Sequence, residues 1–193
     1  MASGHALIES RAGKNVIAVS RIVKSWLAVY RPDLAEQLLC VELTSAEKRA
    51  KRNGNLFAVR LNGTSDLDFG NVIAKFPHVT FYDYTKDPAR KTSPNYHLTF
   101  SYADTSKARL EHYRQARLQG QSIAFPVIAS DFKKACKLKD CYSMDDTDLR
   151  FLDTGGKYGI LKAKITGNEQ GGIKNRFILS AAQLRDVIKL IEA

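Results

Sequence analysis

From residue 56 onward the chain alternates short strand-type runs with helix-type segments, and this alternation narrows the fold more than any other feature. LFAVRLNG (56–63) puts Phe57, Val59 and Leu61 on one face and Ala58 and Arg60 on the other, the period-2 pattern of a half-buried strand. HVTFYDYT (78–85), NYHLTFSY (95–102), QSIAFPVI (121–128), DLRFLD (148–153) and YGILKAKI (158–165) repeat the strand signal. Between them lie the helix-type LDFGNVIAKF (67–76), TSKARLEHYRQARLQG (105–120) and DFKKACKL (131–138). Strands separated by helices predict an α/β fold with a mainly parallel sheet of βα units, as a partial barrel or an open sheet.

Helices flank this core. Residues 15–30 carry Val16, Val19, Val23, Leu27 and Tyr30 at helical spacing. Pro32 ends that helix and opens a second over about 33–43. Thr44, with Glu47 three residues on, predicts a capping box for a third, which Asn53-Gly54 closes. RFILS leads into the terminal helix AAQLRDVIKLIEA, with Ser180 as its N-cap, and the glycine-rich Thr166–Lys174 reads as a loop. A chain of 193 residues fits one domain, with a helical part at 15–52, a βα core at 56–165 and a C-terminal helix at 180–193.

Parallel sheets bind ligands where strands end. The loops there predict a pocket of Asn62, Thr64, Ser65, Asp66, Tyr84, Lys86, His97, Thr99 and Ser101, joined by Asp145, Asp148 and Arg150. NGTSD suits either a turn with a helix cap or an anion site at a helix N-terminus. Asp145, Asp146 and Asp148 offer oxygen ligands to a hard cation such as Mg²⁺; equally, they form a turn with Arg150 paired to Asp153. His97 is a satisfied rim residue or a general base. Cys40, Cys136 and Cys141 lack the paired spacings of a zinc site and read as idle thiols of a reducing cytosol. No cofactor is expected beyond that cation.

The formal charge of +10 attracts polyanions, or simply keeps a basic surface solvated. Lys86, Arg90 and Lys91 beside Tyr82 and Tyr84, and Arg109, Arg114 and Arg117 beside Tyr113, are the candidate nucleic-acid contacts. No run approaches the roughly 20 apolar residues of a membrane span, so a cytoplasmic protein with no membrane partner is expected, its oligomeric state open.

AVRLNGTSD (58–66), FPHVTFYDYTKDPAR (76–90), NYHLTFS (95–101) and DDTDLRFLDTGGKYGILKAK (145–164) resemble a family of uncharacterised bacteriophage and plasmid proteins. The resemblance implies mobile-element ancestry and a partial radical-SAM-like β/α barrel, whose longer members begin with a cysteine-rich segment able to ligate a cluster. In this chain Ala6 stands where a cysteine is expected, and Thr147 where a histidine is typical. An Fe–S cluster is therefore not expected, and the departures imply a scaffold that outlived a catalytic role. The expected function is a non-catalytic accessory protein that binds nucleic acid or a host nucleoprotein complex through its basic surface. Alternatives are a metal-dependent enzyme acting on a nucleotide or phosphorylated small molecule, and a protein-directed inhibitor of a host defence system.

Overall fold

The structure is a computed structural model that describes residues 16–63, 65–153, 157–163 and 177–193. Thr64, the segment 4–15 with Ala6, the loop 166–174 and the start of RFILS lie outside the described residues. The chain forms two compact units, one holding the N-terminal helices and Phe69–Lys75, the other Ala58–Asp68 and Phe76–Ala193.

In the first unit, α1 spans Val16–Tyr30, α2 Pro32–Arg52 and α3 Gly70–Lys75. Pro32 occupies the first turn of α2, where its missing N–H costs nothing. The predicted break at Thr44 is corrected: α2 runs through it. The Thr44 hydroxyl donates back to the Cys40 carbonyl at 2.8 Å, and Glu47 pairs with Lys51 at 2.7 Å. A hydroxyl that bonds within the helix leaves no cap to start another. Gly54 ends the helix in the left-handed conformation, at φ 67°.

The second unit carries six parallel strands: β1 (Ala58–Val59), β2 (Thr80–Thr85), β3 (Tyr96–Ser101), β4 (Ser122–Val127), β5 (Cys141–Ser143) and β6 (Tyr158–Lys162). Their order is β1-β2-β3-β4-β6-β5, with every pairing parallel, so the described strands form an open sheet with β1 and β5 at its edges. Helices α4 (Lys107–Leu118), α5 (Phe132–Ala135) and α6 (Ala181–Glu192) complete the unit. The core joins Phe100, Ile123, Phe125, Tyr158 and Ile160 of the sheet to Tyr113 and Ala116 of α4, Ala135 of α5 and Leu184, Val187 and Ile191 of α6. Burying such side chains contributes about 1.5–3 kcal/mol each before entropy is counted.

Two expectations change. DLRFLD is not a strand: Arg150–Leu152 make a 3₁₀ turn, with Arg150 N donating to Asp148 O and Asp153 N to Arg150 O. The sixth strand comes instead from Cys141–Ser143, which pairs with β6 as Cys141↔Tyr158 through Ser143↔Ile160.

Candidate functional site at the strand ends

The register places Phe81, Asp83 and Thr85 of β2 beside Tyr96, Leu98 and Phe100 of β3 on one face of the sheet. Tyr82 and Tyr84 fall on the other, beside His97 and Thr99. The predicted pocket is thereby divided into two groups.

The first group centres on Asp83, which is fully buried. Its carboxylate accepts from Asn62 N at 2.8 Å, Asn62 Nδ2 at 3.1 Å and the Tyr96 hydroxyl at 3.0 Å, with Arg90 Nη2 at 3.7 Å. Burial is the largest influence on Asp83 and leaves its carboxyl above the usual range, though Asn62 and the arginines Arg90 and Arg60 pull the other way. Arg90 is equally enclosed; Nη1 meets Asp66 Oδ1 at 2.5 Å, and Nη2 bonds the Tyr96 hydroxyl. Asp66 also accepts from the Thr85 hydroxyl at 2.9 Å and Lys86 N at 2.7 Å. Burial raises the Asp66 carboxyl, and these donors together bring it below its ordinary value.

The Asn62–Leu67 loop is built the same way. Asn62 Oδ1 accepts from Ser65 Oγ at 2.7 Å and Leu67 N at 3.0 Å, while its amide donates to Leu67 O at 3.0 Å. Its polar atoms hold the loop onto β2. Ser65 and Asp66 do not cap α3, which starts at Gly70.

On the opposite face, Arg60 lies 4.9 Å from the Tyr84 ring centroid, and Tyr84 feels Arg150, Asp148 and Asp153. Burial pushes the Tyr84 phenol up. Phe151 packs 5.5 Å from Tyr82 and 6.2 Å from His97, and partial burial lowers the His97 pKa. The Arg150–Asp153 pair, at 3.4 Å, is present. Arg150 Nη2 donates to Met144 O at 3.1 Å, while its Nε and Nη1 have no hydrogen-bond partner. Thr99 and Ser101 follow His97 on this face.

The aspartate trio diverges. Asp145 accepts from Lys162 N at 3.0 Å, Asp145 and Asp146 act on the Cys136 thiol, and Asp148 acts on Tyr84. Among the described residues no three His, Cys, Asp or Glu side chains are placed to hold a metal ion. Burial raises the Cys136 thiol and pushes Cys141 up to about 12.

A third group forms at the rim. Lys86 Nζ sits 5.6 Å from the Phe177 ring centroid, Phe177 stacks on buried Tyr102 at 6.4 Å, and Arg109 Nη1 donates to Lys86 O at 3.4 Å. Lys91 is exposed. The structure gives the other predicted contacts different partners: Arg90 lies inside the acid network, Arg114 donates to Leu190 O at 2.7 Å and Ile191 O at 3.3 Å, and Arg117 bonds Gln121 O. Arg114 thus satisfies carbonyls at the end of α6.

Sequence reasoning missed Asp83, Tyr96, Arg60 and Phe177. Asp83 carried a usable signal, since it falls in step with Phe81 and Thr85 on the buried face of β2. Phe177 carried none, because its contacts are to Lys86 and Tyr102, far away in the chain.

A family model described as Gene product 88 matches residues 8–180, most of the chain. The chain belongs to the Gene product 88 family. This is a phage-type family, in keeping with the resemblance carried by AVRLNGTSD and NYHLTFS. No curated protein and no solved structure matches the chain. Within this Gene product 88 protein the matched span includes all six strands and both polar groups of the sheet.

Proposed function

We propose that this Gene product 88 protein is an accessory protein that binds nucleic acid through its basic surface, without catalysing a reaction. What supports the reading is the rim where Lys86 lies over the ring of Phe177, which is 37% exposed, and Arg109 donates to the Lys86 carbonyl. Cations that meet phosphates beside an aromatic that stacks a base are the elements of single-strand binding. The +10 charge supplies the long-range attraction.

The test is fluorescence anisotropy with short single- and double-stranded oligonucleotides over a salt series. Affinity should fall steeply with salt. The double variant Lys86→Glu/Arg109→Glu should weaken binding by roughly tenfold or more at low salt, because two phosphate contacts become repulsions. Phe177→Ala should weaken single strands more than duplex, by about 1–3 kcal/mol if one base stacks there. No change in anisotropy with either oligonucleotide at low salt overturns the reading.

A second reading rests on Arg150, whose side chain is 1% exposed and acts electrostatically on Tyr84. Its Nε has no partner, while Nη1 faces Asp153 at 3.4 Å without a hydrogen bond. Buried donors without partners mark a site that an anion or water completes. In that reading the protein acts on a nucleotide beside Tyr84 and Arg150. Thermal stabilisation by a nucleotide with Mg²⁺ or Mn²⁺, lost in Arg150→Lys, would favour it.

A further inference from the structure

Most of the arginines considered above are engaged inside the fold, whereas one run of lysines is not. Lys133, Lys134, Lys137 and Lys139 are all exposed and lie within a few residues of one another. The flanking carboxylates face elsewhere: Asp131 Oδ2 accepts from Ala181 N at 2.9 Å, and Asp140 Oδ2 pairs with Lys157 at 3.5 Å. Asp145 and Asp146 act on Cys136, between the lysines, and Asp145 is held by Lys162 N. Among the described residues, no salt bridge joins a carboxylate to any of the four lysines.

The run is not a loose tail. Its apolar residues turn inward, Ala135 being fully buried while Phe132, Cys136 and Leu138 pack against the core. Backbone bonds fix the turns between them, Cys136 N to Phe132 O at 3.0 Å, Lys137 N to Lys134 O at 3.1 Å and Leu138 N to Ala135 O at 3.1 Å. Alternation of anchored apolar residues with outward lysines holds four ammonium groups on a fixed support. Ammonium groups act as point charges that meet phosphates without reading bases.

We propose that Lys133, Lys134, Lys137 and Lys139 form a second contact for the phosphate backbone of nucleic acid, separate from the Lys86–Arg109 rim. The inference rests on the nucleic-acid reading and adds where the backbone runs. Each phosphate contact contributes about 0.9 to the slope of log K against log salt for duplex, and about 0.7 for a single strand.

The experiment compares three full-length proteins by anisotropy with one labelled duplex and one labelled single strand, between about 50 and 200 mM salt. They are the unaltered protein, the variant Lys133→Gln/Lys134→Gln/Lys137→Gln/Lys139→Gln, and a charge-matched control, Lys24→Gln/Lys48→Gln/Lys75→Gln/Lys189→Gln. The tract variant should lose up to about 3.6 from the slope magnitude with duplex, or about 2.8 with the single strand, and bind roughly tenfold or more weakly at low salt, with the control much closer to the unaltered protein. Equal losses in both variants would mean that net charge alone is responsible and overturn the proposal. An unchanged slope in the tract variant would overturn it while leaving the rim reading intact. If the unaltered protein binds neither oligonucleotide, the nucleic-acid reading itself fails and this inference falls with it.

Discussion

Gly159 has no room for a methyl group, because a Cβ built there would lie 1.8 Å from Met144 Sδ and 2.6 Å from Met144 Cγ. Met144 is itself buried, so it can move only by disturbing its neighbours. Gly159→Ala should therefore lower stability by about 1–3 kcal/mol in urea titration, and Met144→Ala in the same chain should recover part of that loss. Asp66 governs a different quantity. Its carboxyl sits below its ordinary value of 3.8, so its contribution is complete above that pH and is lost as pH falls through the lowered value. Asp83 has the opposite sign: its raised carboxyl weakens the fold as pH climbs from the ordinary range to the raised value. Asp66→Asn should thus unfold more easily at neutral pH and show a shallower acid loss below about pH 4. Parallel urea midpoints for the two proteins across that range would show that the Arg90–Asp66 pair does not set the acid limb.

At the scale of elements, α6 shows a local signal that survives folding. Ser180 Oγ accepts from Gln183 N at 3.2 Å, and the Gln183 side chain accepts from Ser180 N at 2.8 Å, closing the capping box. Ser180→Ala should cost about 1 kcal/mol, read as a shift in thermal or urea midpoint. Such signals made the helices and the longer strands legible. β2, β3, β4 and β6 lie within the runs that alternation marked, because β3, β4 and β6 pack residues on the apolar core and β2 buries one face, with Phe81, Asp83 and Thr85. Where particular side-chain or strand contacts decide, the pattern misled. Leu149 and Phe151 alternate like strand residues, yet Arg150 reaches Met144 O and Asp153 and pulls the segment into a 3₁₀ turn. Cys141–Ser143 is too short to show a period and is a strand because β6 lies beside it. Thr44 resembled a cap, since a short motif cannot reveal that its hydroxyl turns back onto Cys40.

Across the whole molecule, a count of basic residues overstates the surface available to a partner. Residues named together as cations separate by what surrounds them: Arg90 is enclosed by Asp66, Asp83 and Tyr96, Arg114 and Arg117 satisfy carbonyls, and Lys86 and Arg109 stand at an aromatic rim. A planar guanidinium with several donors suits enclosed polar atoms, whereas a strongly hydrated ammonium stays in water. The strand-end residues Asn62, Ser65 and Asp66 were legible as a cluster, but their atoms bond to one another and to β2, which spacing alone does not reveal. This division predicts that stability and binding separate under mutation. Arg114→Ala removes the donors to Leu190 O and Ile191 O, and should lower the unfolding midpoint by about 1 kcal/mol, the net worth of such bonds. Oligonucleotide affinity per folded molecule should stay within about twofold of the unaltered protein, since the lost group faces carbonyls rather than phosphate. Lys86→Glu should do the reverse, leaving the midpoint nearly unchanged and weakening binding. Should Arg114→Ala reduce the salt slope by about one contact, Arg114 would belong to the binding surface and its bond to α6 would be secondary.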